Sequence, residues 1–172
     1  ALSTWATAHR RATFDEYMQR GGFAELKFVK NDKAYISNLV SNILKRDIEQ
    51  RYKIAFPAGF ENMAHHLLNI SPAIASASEL AAMFGFKTAH TARNYIEYLK
   101  QAYLLVGINK YSAKSKVRIT QEKLYAIDVA LMNKRENAFA GDNLGWRLET
   151  VVLSHLIRRC HYEGQDVYYL KD

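Results

Sequence analysis

The sequence predicts a mainly α chain with a small β component, an α+β fold, and three observations predict it. Long stretches place apolar residues at helical spacing, and only two prolines and eight glycines interrupt 172 residues. Two short strand-like segments follow a pair of helices in the middle of the chain. Apolar residues make up 49% of the total, too many for a disordered chain and enough for one good core or two small ones.

Taken in order, the first helix runs to about Arg20, and Thr13, Phe14, Asp15 and Glu16 have the pattern of a capping box near its start. Gly21 and Gly22 end it, because a helix C-terminus often needs the left-handed conformation that glycine tolerates. A second helix starts near Asp32, with Ile36, Val40, Ile43, Leu44 and Ile48 forming one core-facing stripe. Lys45 to Arg51 reads as its solvated, mixed-charge end. Phe56, Pro57 and Gly59 predict a break and a domain boundary. The next helix passes through Met63, Leu67, Leu68 and Ile70 and closes at Ser71 and Pro72. Its His65 and His66 are adjacent, so they point about 100° apart on a helix and do not converge on one metal.

The stretch from Ser76 to Thr120 carries the most information. Ser78 is the expected N-cap of a helix bearing Leu80, Ala81 and Phe84, with Ala81 and Ala82 small enough for close helix crossing. Gly85 supplies the turn, Thr88 caps a second helix, and Tyr95, Ile96, Leu99 and Tyr103 are its expected buried face. Two strand-like segments joined by a basic loop then complete a winged helix-turn-helix. Seven basic residues against two acidic ones give this stretch a balance of +5, most of the chain's net +7. Such a patch fits a phosphate backbone, and a solvated basic face accounts for the charge equally well.

In that geometry Thr88, His90, Arg93 and Asn94 are the candidate readers of base edges in double-stranded DNA, and Lys114, Lys116 and Arg118 on the wing are the candidate phosphate contacts. Glu97 and Lys100 share the exposed side with them. Glu97 would repel phosphate, and winged helices also serve as protein-docking surfaces or rigid spacers. A stand-alone transcription regulator would need two such modules about one DNA turn apart.

Beyond the wing, the segment from Lys123 to Leu131 looks like a strand with Asp128 at its end, and Asn133 to Asn143 like a loop. A helix follows in which Leu148, Val152 and Leu156 share a face, then a strand from Asp166 to Leu170. One helix and one strand make a poor domain, so the sequence is either cut within a domain or its last elements pack back on the winged helix. Complete catalytic patterns are lacking: no GxxxxGK[ST] loop, no GxGxxG and no GxSxG. Asp128 and Glu149 are isolated acids for which structural roles are expected, and no metal site is expected. The single cysteine, Cys160, excludes an internal disulfide and a metal-binding cysteine pair. No stretch reads as a membrane span or a secretory leader, so a cytoplasmic chain without a membrane partner is expected.

Several short motifs, in order, resemble the C-terminal half of prokaryotic AAA-superfamily ATPases. They are Gly21 to Glu25, with Ala24 where that family usually has proline; Leu44 to Ile48; Ser78 to Ala81 with Thr91 to Ile96; Lys123 to Asp128; and Gly145 to Glu149. The resemblance implies a helical lid-like region over residues 1–56, a winged helix-turn-helix over 57–131, and the start of a truncated restriction-endonuclease-like domain over 132–172. It further implies an ATP- and Mg-binding core before Ala1 and the rest of a nuclease-like core after Asp172. Glu149 would then be the acid that opens an incomplete nuclease-like site, since metal-dependent phosphodiester cleavage needs several carboxylates and a lysine together. The chain itself is expected to hold no cofactor and to perform no catalysis. It would couple the missing ATPase core to DNA or to a protein.

Overall fold

A computed structural model describes residues 3–112, 122–132, 144–164 and 166–170. The protein is mostly helical with a small three-stranded antiparallel sheet. Helix α1 spans Thr4–Arg20, and its cap is Ser3, whose side chain accepts from Ala6 N. The Thr13–Glu16 capping box is therefore corrected: Thr13 lies inside the helix and its hydroxyl donates to the His9 carbonyl one turn back. Gly21 ends α1 at φ 82°, with its N–H donating to Tyr17 O.

Asn31 caps α2, Asp32–Asn42, by accepting from Ala34 N. The helix then widens into a π-helical segment, Ile43–Glu49, before a last α turn, α3, Gln50–Tyr52. Ile36, Val40, Leu44 and Ile48 are all buried, while Ile43 is only partly so. The reason is geometric. A strict four-residue spacing over-rotates by about 40° per step in an α-helix, and the wider π turn takes that drift back. Arg20 fastens α2 to α1: its Nε donates to Asp32 at 2.7 Å, Nη1 to Glu16 and Nη2 to Leu26 O.

Pro57 is not a break but the first residue of α4, Pro57–Ile70, where its missing N–H leaves no helical bond unmade. One hydrophobic cluster joins Leu26, Val40, Leu44 and Ile48 to Phe60, Met63, Leu67, Leu99 and Val129, so the core is continuous across residue 56. Strand β1, Ala73–Ile74, is followed by α5, Ala77–Phe84, and α6, Ala89–Gln101. Ser76, not Ser78, caps α5 through Glu79 N. Gly85 closes α5 in the left-handed conformation at φ 74°. Ala81 is buried against the crossing helix and Ala82 faces out.

Tyr103 is also corrected. It follows α6 in a left-handed turn at φ 55° and is 77% exposed, while Ala92 joins Tyr95, Ile96 and Leu99 on the buried face. Strands β2, Leu105–Asn109, and β3, Glu122–Ala126, pair with Leu105 opposite Ala126, and the sheet order is β1-β3-β2. The sequence α4-β1-α5-α6-β2-β3 with that sheet order is the arrangement of a winged helix. The strand expected from Lys123 to Leu131 stops at Ala126, and Val129–Met132 forms a buried 3-10 turn.

Helix α7, Leu144–Glu163, packs on that turn and on α1. Leu148, Val152 and Leu156 do share a face, but it is turned outward with Leu144. Leu153 and Thr150 are the buried residues of this helix among those described. The expected strand from Asp166 to Leu170 reduces to one parallel bridge, Lys110 with Tyr169, in which Tyr111 N donates to Tyr169 O and Tyr169 N to Asn109 O. Ile108, Tyr125 and Leu153 form a second small core with Val167 and Tyr169, so the last elements pack back on the winged helix. Among the described residues no helix is long and apolar enough to cross a membrane.

Gly21 and Gly145 separate two effects of adding one methyl group. A Cβ on Gly21 would lie 2.1 Å from Asp128 Oδ1, on a residue of positive φ, whereas a Cβ on Gly145 meets nothing within 4 Å in a helical turn. Urea unfolding should show Gly21→Ala destabilised by about 2 kcal/mol or more, and Gly145→Ala unchanged or stabilised by about 0.5–1 kcal/mol.

Candidate nucleic-acid interface

Helix α6 begins where Thr88 accepts from Thr91 N at 3.2 Å, and the two threonine hydroxyls lie 3.1 Å apart. The Thr88 hydroxyl is thus engaged in holding the helix start. His90 and Arg93 are exposed on the first turns and Asn94 is half-buried. The Asn94 amide nitrogen lies 3.3 Å from His90 Nε2, one helical turn away, which orients both side chains when the imidazole nitrogen accepts. Arg93 has no hydrogen bond or ion pair with the described residues, so its guanidinium is available to an outside acceptor.

The far half of the same face is electrically different. Lys100 Nζ donates to Glu97 at 3.0 Å and to Glu122 of β3 at 2.7 Å. Burial pulls the Lys100 ammonium down, but its bonds to Glu122 and Glu97 outweigh this and hold it above its ordinary value. Lys100 therefore serves the fold rather than an incoming phosphate. Gly107 makes this contact possible: a Cβ there would lie 1.9 Å from Glu122 Oε1, so the bare glycine lets the Glu122 side chain fold across β2 toward α6. A glycine inside a strand is the sequence sign of such a close approach. Glu122 itself carried no sign that it would neutralise Lys100.

Aromatic contacts join α6 to α3, to α4 and to the α5–α6 turn. The Tyr52 ring stacks on Tyr98 with centroids 3.8 Å apart, and its hydroxyl donates to Gln101 Oε1 at 2.6 Å. Phe60 and Phe86 meet the Tyr95 ring edge-on at 5.1 and 5.0 Å. Helix α6 thus sits on an aromatic bed that reaches from α3 to α4. His66 contributes from α4, its ring 5.4 Å from Phe84, and burial lowers its pKa. The wing residues Lys114, Lys116 and Arg118 lie outside the described residues, as does the loop expected from Asn133 to Asn143.

Glu149 points at the sheet. Its Oε1 accepts from Lys123 Nζ at 2.5 Å and from the Tyr125 hydroxyl at 2.8 Å, joining α7 to β3. Burial, and then the bond to Glu149, push the Tyr125 phenol far above its ordinary value. Asp128 is a clamp: Oδ1 accepts from Ala130 N at 2.8 Å, and Oδ2 from Gly22 N at 3.0 Å. Among the described residues no three His, Cys, Asp or Glu side chains are grouped to hold a metal ion.

Comparison with known proteins gives a family and a longer relative. The family model described as a domain of unknown function, DUF8612, matches residues 11–142, which run from the middle of α1 through the winged helix. An uncharacterized protein, MJ1544, of Methanocaldococcus jannaschii is 28% identical over 176 residues, covering 98% of this chain and 39% of the relative. The chain thus spans about two fifths of the length of that relative. No solved structure matches this chain.

The Tyr125 phenol gives a pH test. The unfolded chain loses this proton near the ordinary value of 10.0, while the fold keeps it to higher pH. Stability is therefore intact below that value and falls as pH rises above it. Urea midpoints should drop from about pH 10 upward, and Tyr125→Phe should flatten that drop.

Proposed function

We propose that this chain, which belongs to the DUF8612 family, is a winged-helix module that binds double-stranded DNA and relays that contact to the rest of a longer protein. The observation that carries this reading is the first half of the α6 face, where Arg93 is exposed and has no partner among the described residues, beside the oriented His90–Asn94 pair. A guanidinium on the N-terminal turns of such a helix suits the N7 and O6 acceptors of guanine, and Asn94 suits adenine. The wing cations Lys114, Lys116 and Arg118 would take phosphates.

The relay half of the proposal rests on the Tyr52–Tyr98 stack and on the shared core, which give a motion of the N-terminal helices a packed path to α6. The resemblance to AAA-superfamily ATPases supports a further proposal: the longer protein binds ATP with Mg, and this chain transmits the nucleotide state. The 172 residues supply no GxxxxGK[ST] cradle, so this chain's part is mechanical.

A second reading, docking to a protein partner such as that ATPase core, is favoured by Glu97 on the face and by the outward apolar residues Leu144, Leu148, Val152 and Leu156 of α7. Fluorescence anisotropy with a labelled DNA duplex across a salt series separates the two. Salt-dependent binding is expected. Arg93→Ala should weaken it by about five- to tenfold and lower the salt slope by about one, and replacing the three wing cations should flatten the slope further. Glu97→Gln should tighten binding by about threefold. If the unaltered chain shows no salt-dependent affinity for duplex DNA, the DNA reading fails and docking to protein takes its place.

A further inference from the structure

We propose that the cavity between α2, α4 and the 3-10 turn at Val129–Met132 is a binding site for a small, uncharged, amphipathic molecule. Its volume is about 340 Å³, within the range of small-ligand pockets. Ile36 and Val40 from α2, Leu68 from α4 and Leu131 from the turn give it a buried apolar floor. An apolar body of bicyclic size is what such a floor would desolvate.

The polar groups around it define the other end of the ligand. Ser37 and Asn69 are half-buried at the cavity wall and make no hydrogen bond with the described residues. Asn31, at the mouth, spends its amide oxygen on Ala34 N, and its NH₂ group makes no hydrogen bond with the described residues. A hydroxyl and two carboxamides offer neutral donors and acceptors. Lys33 and His65 also border the cavity, but both already have partners within the chain, and no acid lines it among the described residues. The site is therefore built for hydrogen bonding and not for charge. Occupancy would bear on the same 3-10 turn that Asp128 caps and that adjoins the end of α1. This site stands independently of DNA binding.

The test uses two probes of one shape, 2-naphthol and 2-methylnaphthalene, titrated into the chain with protein-observed NMR. Saturable one-to-one binding is expected, with shifts at residues 31–37, 65–69 and 130–131. The naphthol should bind about three- to tenfold more tightly, and Asn69→Leu should erase that preference. Ala34→Trp, at an exposed position on the cavity edge, should weaken both probes by about tenfold or more. The proposal is overturned if neither probe saturates or if the two bind equally, because the hole would then be only apolar. It is overturned equally if Ala34→Trp leaves both affinities intact, since the probes would then sit on the α7 stripe.

Discussion

The structure depends on how the C-terminal end of α1 is held. The last carbonyls of a helix have no intrahelical partner and carry the negative end of its dipole. Here Arg147 Nη1 donates to Met18 O at 2.9 Å, to Gln19 O at 3.4 Å and to Val129 O at 3.3 Å, so one guanidinium from α7 closes α1 and the 3-10 turn together. Asp128 completes the joint by gripping Gly22 N and Ala130 N. Burial lowers the Arg147 pKa, partly offset by the charge of Asp128, which shows a cation taken partly out of water and compensated locally. Gly21 is the only shape that fits beside the clamp, because any Cβ there would collide with the Asp128 carboxylate.

Three pieces far apart in the chain are fixed by this joint, and the rest follows from it. The 3-10 turn continues β3, so its position sets the centre of the sheet. The end of α4 is tied to the same place, since buried Ser71 accepts from Ala126 N at 2.6 Å. With β3 and α4 placed, α5 and α6 pack on the aromatic bed, and Glu122 can reach Lys100 across Gly107. The result is a helix face divided by charge. Its first half keeps an exposed Arg93 with no partner among the described residues, while Glu97 and Glu122 neutralise Lys100 in its second half.

Local chemistry made much of this legible in the sequence. Gly21 and Gly85 stop helices where a positive φ is needed, Thr88 caps α6, and the four-residue spacing of Ile36, Val40, Leu44 and Ile48 names a buried stripe. Errors came where two residues competed for one role. Ser76 and Ser78 are equally good caps by type, and Thr13 with Glu16 has the capping pattern inside a helix that had already begun at Ser3. The shared face of Leu148, Val152 and Leu156 on α7 is present but turned outward, and the helix seats Thr150, Leu153 and Arg147 against the fold.

The sequence by itself determined the helical class, the order of elements, the basic stretch and the residues that stand first on α6, because each depends on neighbours within a turn or two along the chain. Only the tertiary structure decided the roles of Asp128, Arg147, Glu122 and Glu149. Their partners lie 106 residues away for Asp128 with Gly22 and 129 for Arg147 with Met18, and no local pattern encodes such a pairing. It also decided which cations remain for a partner: composition counts Lys100 and Arg93 alike, but the fold holds one, half-buried, between two carboxylates and leaves the other exposed to water.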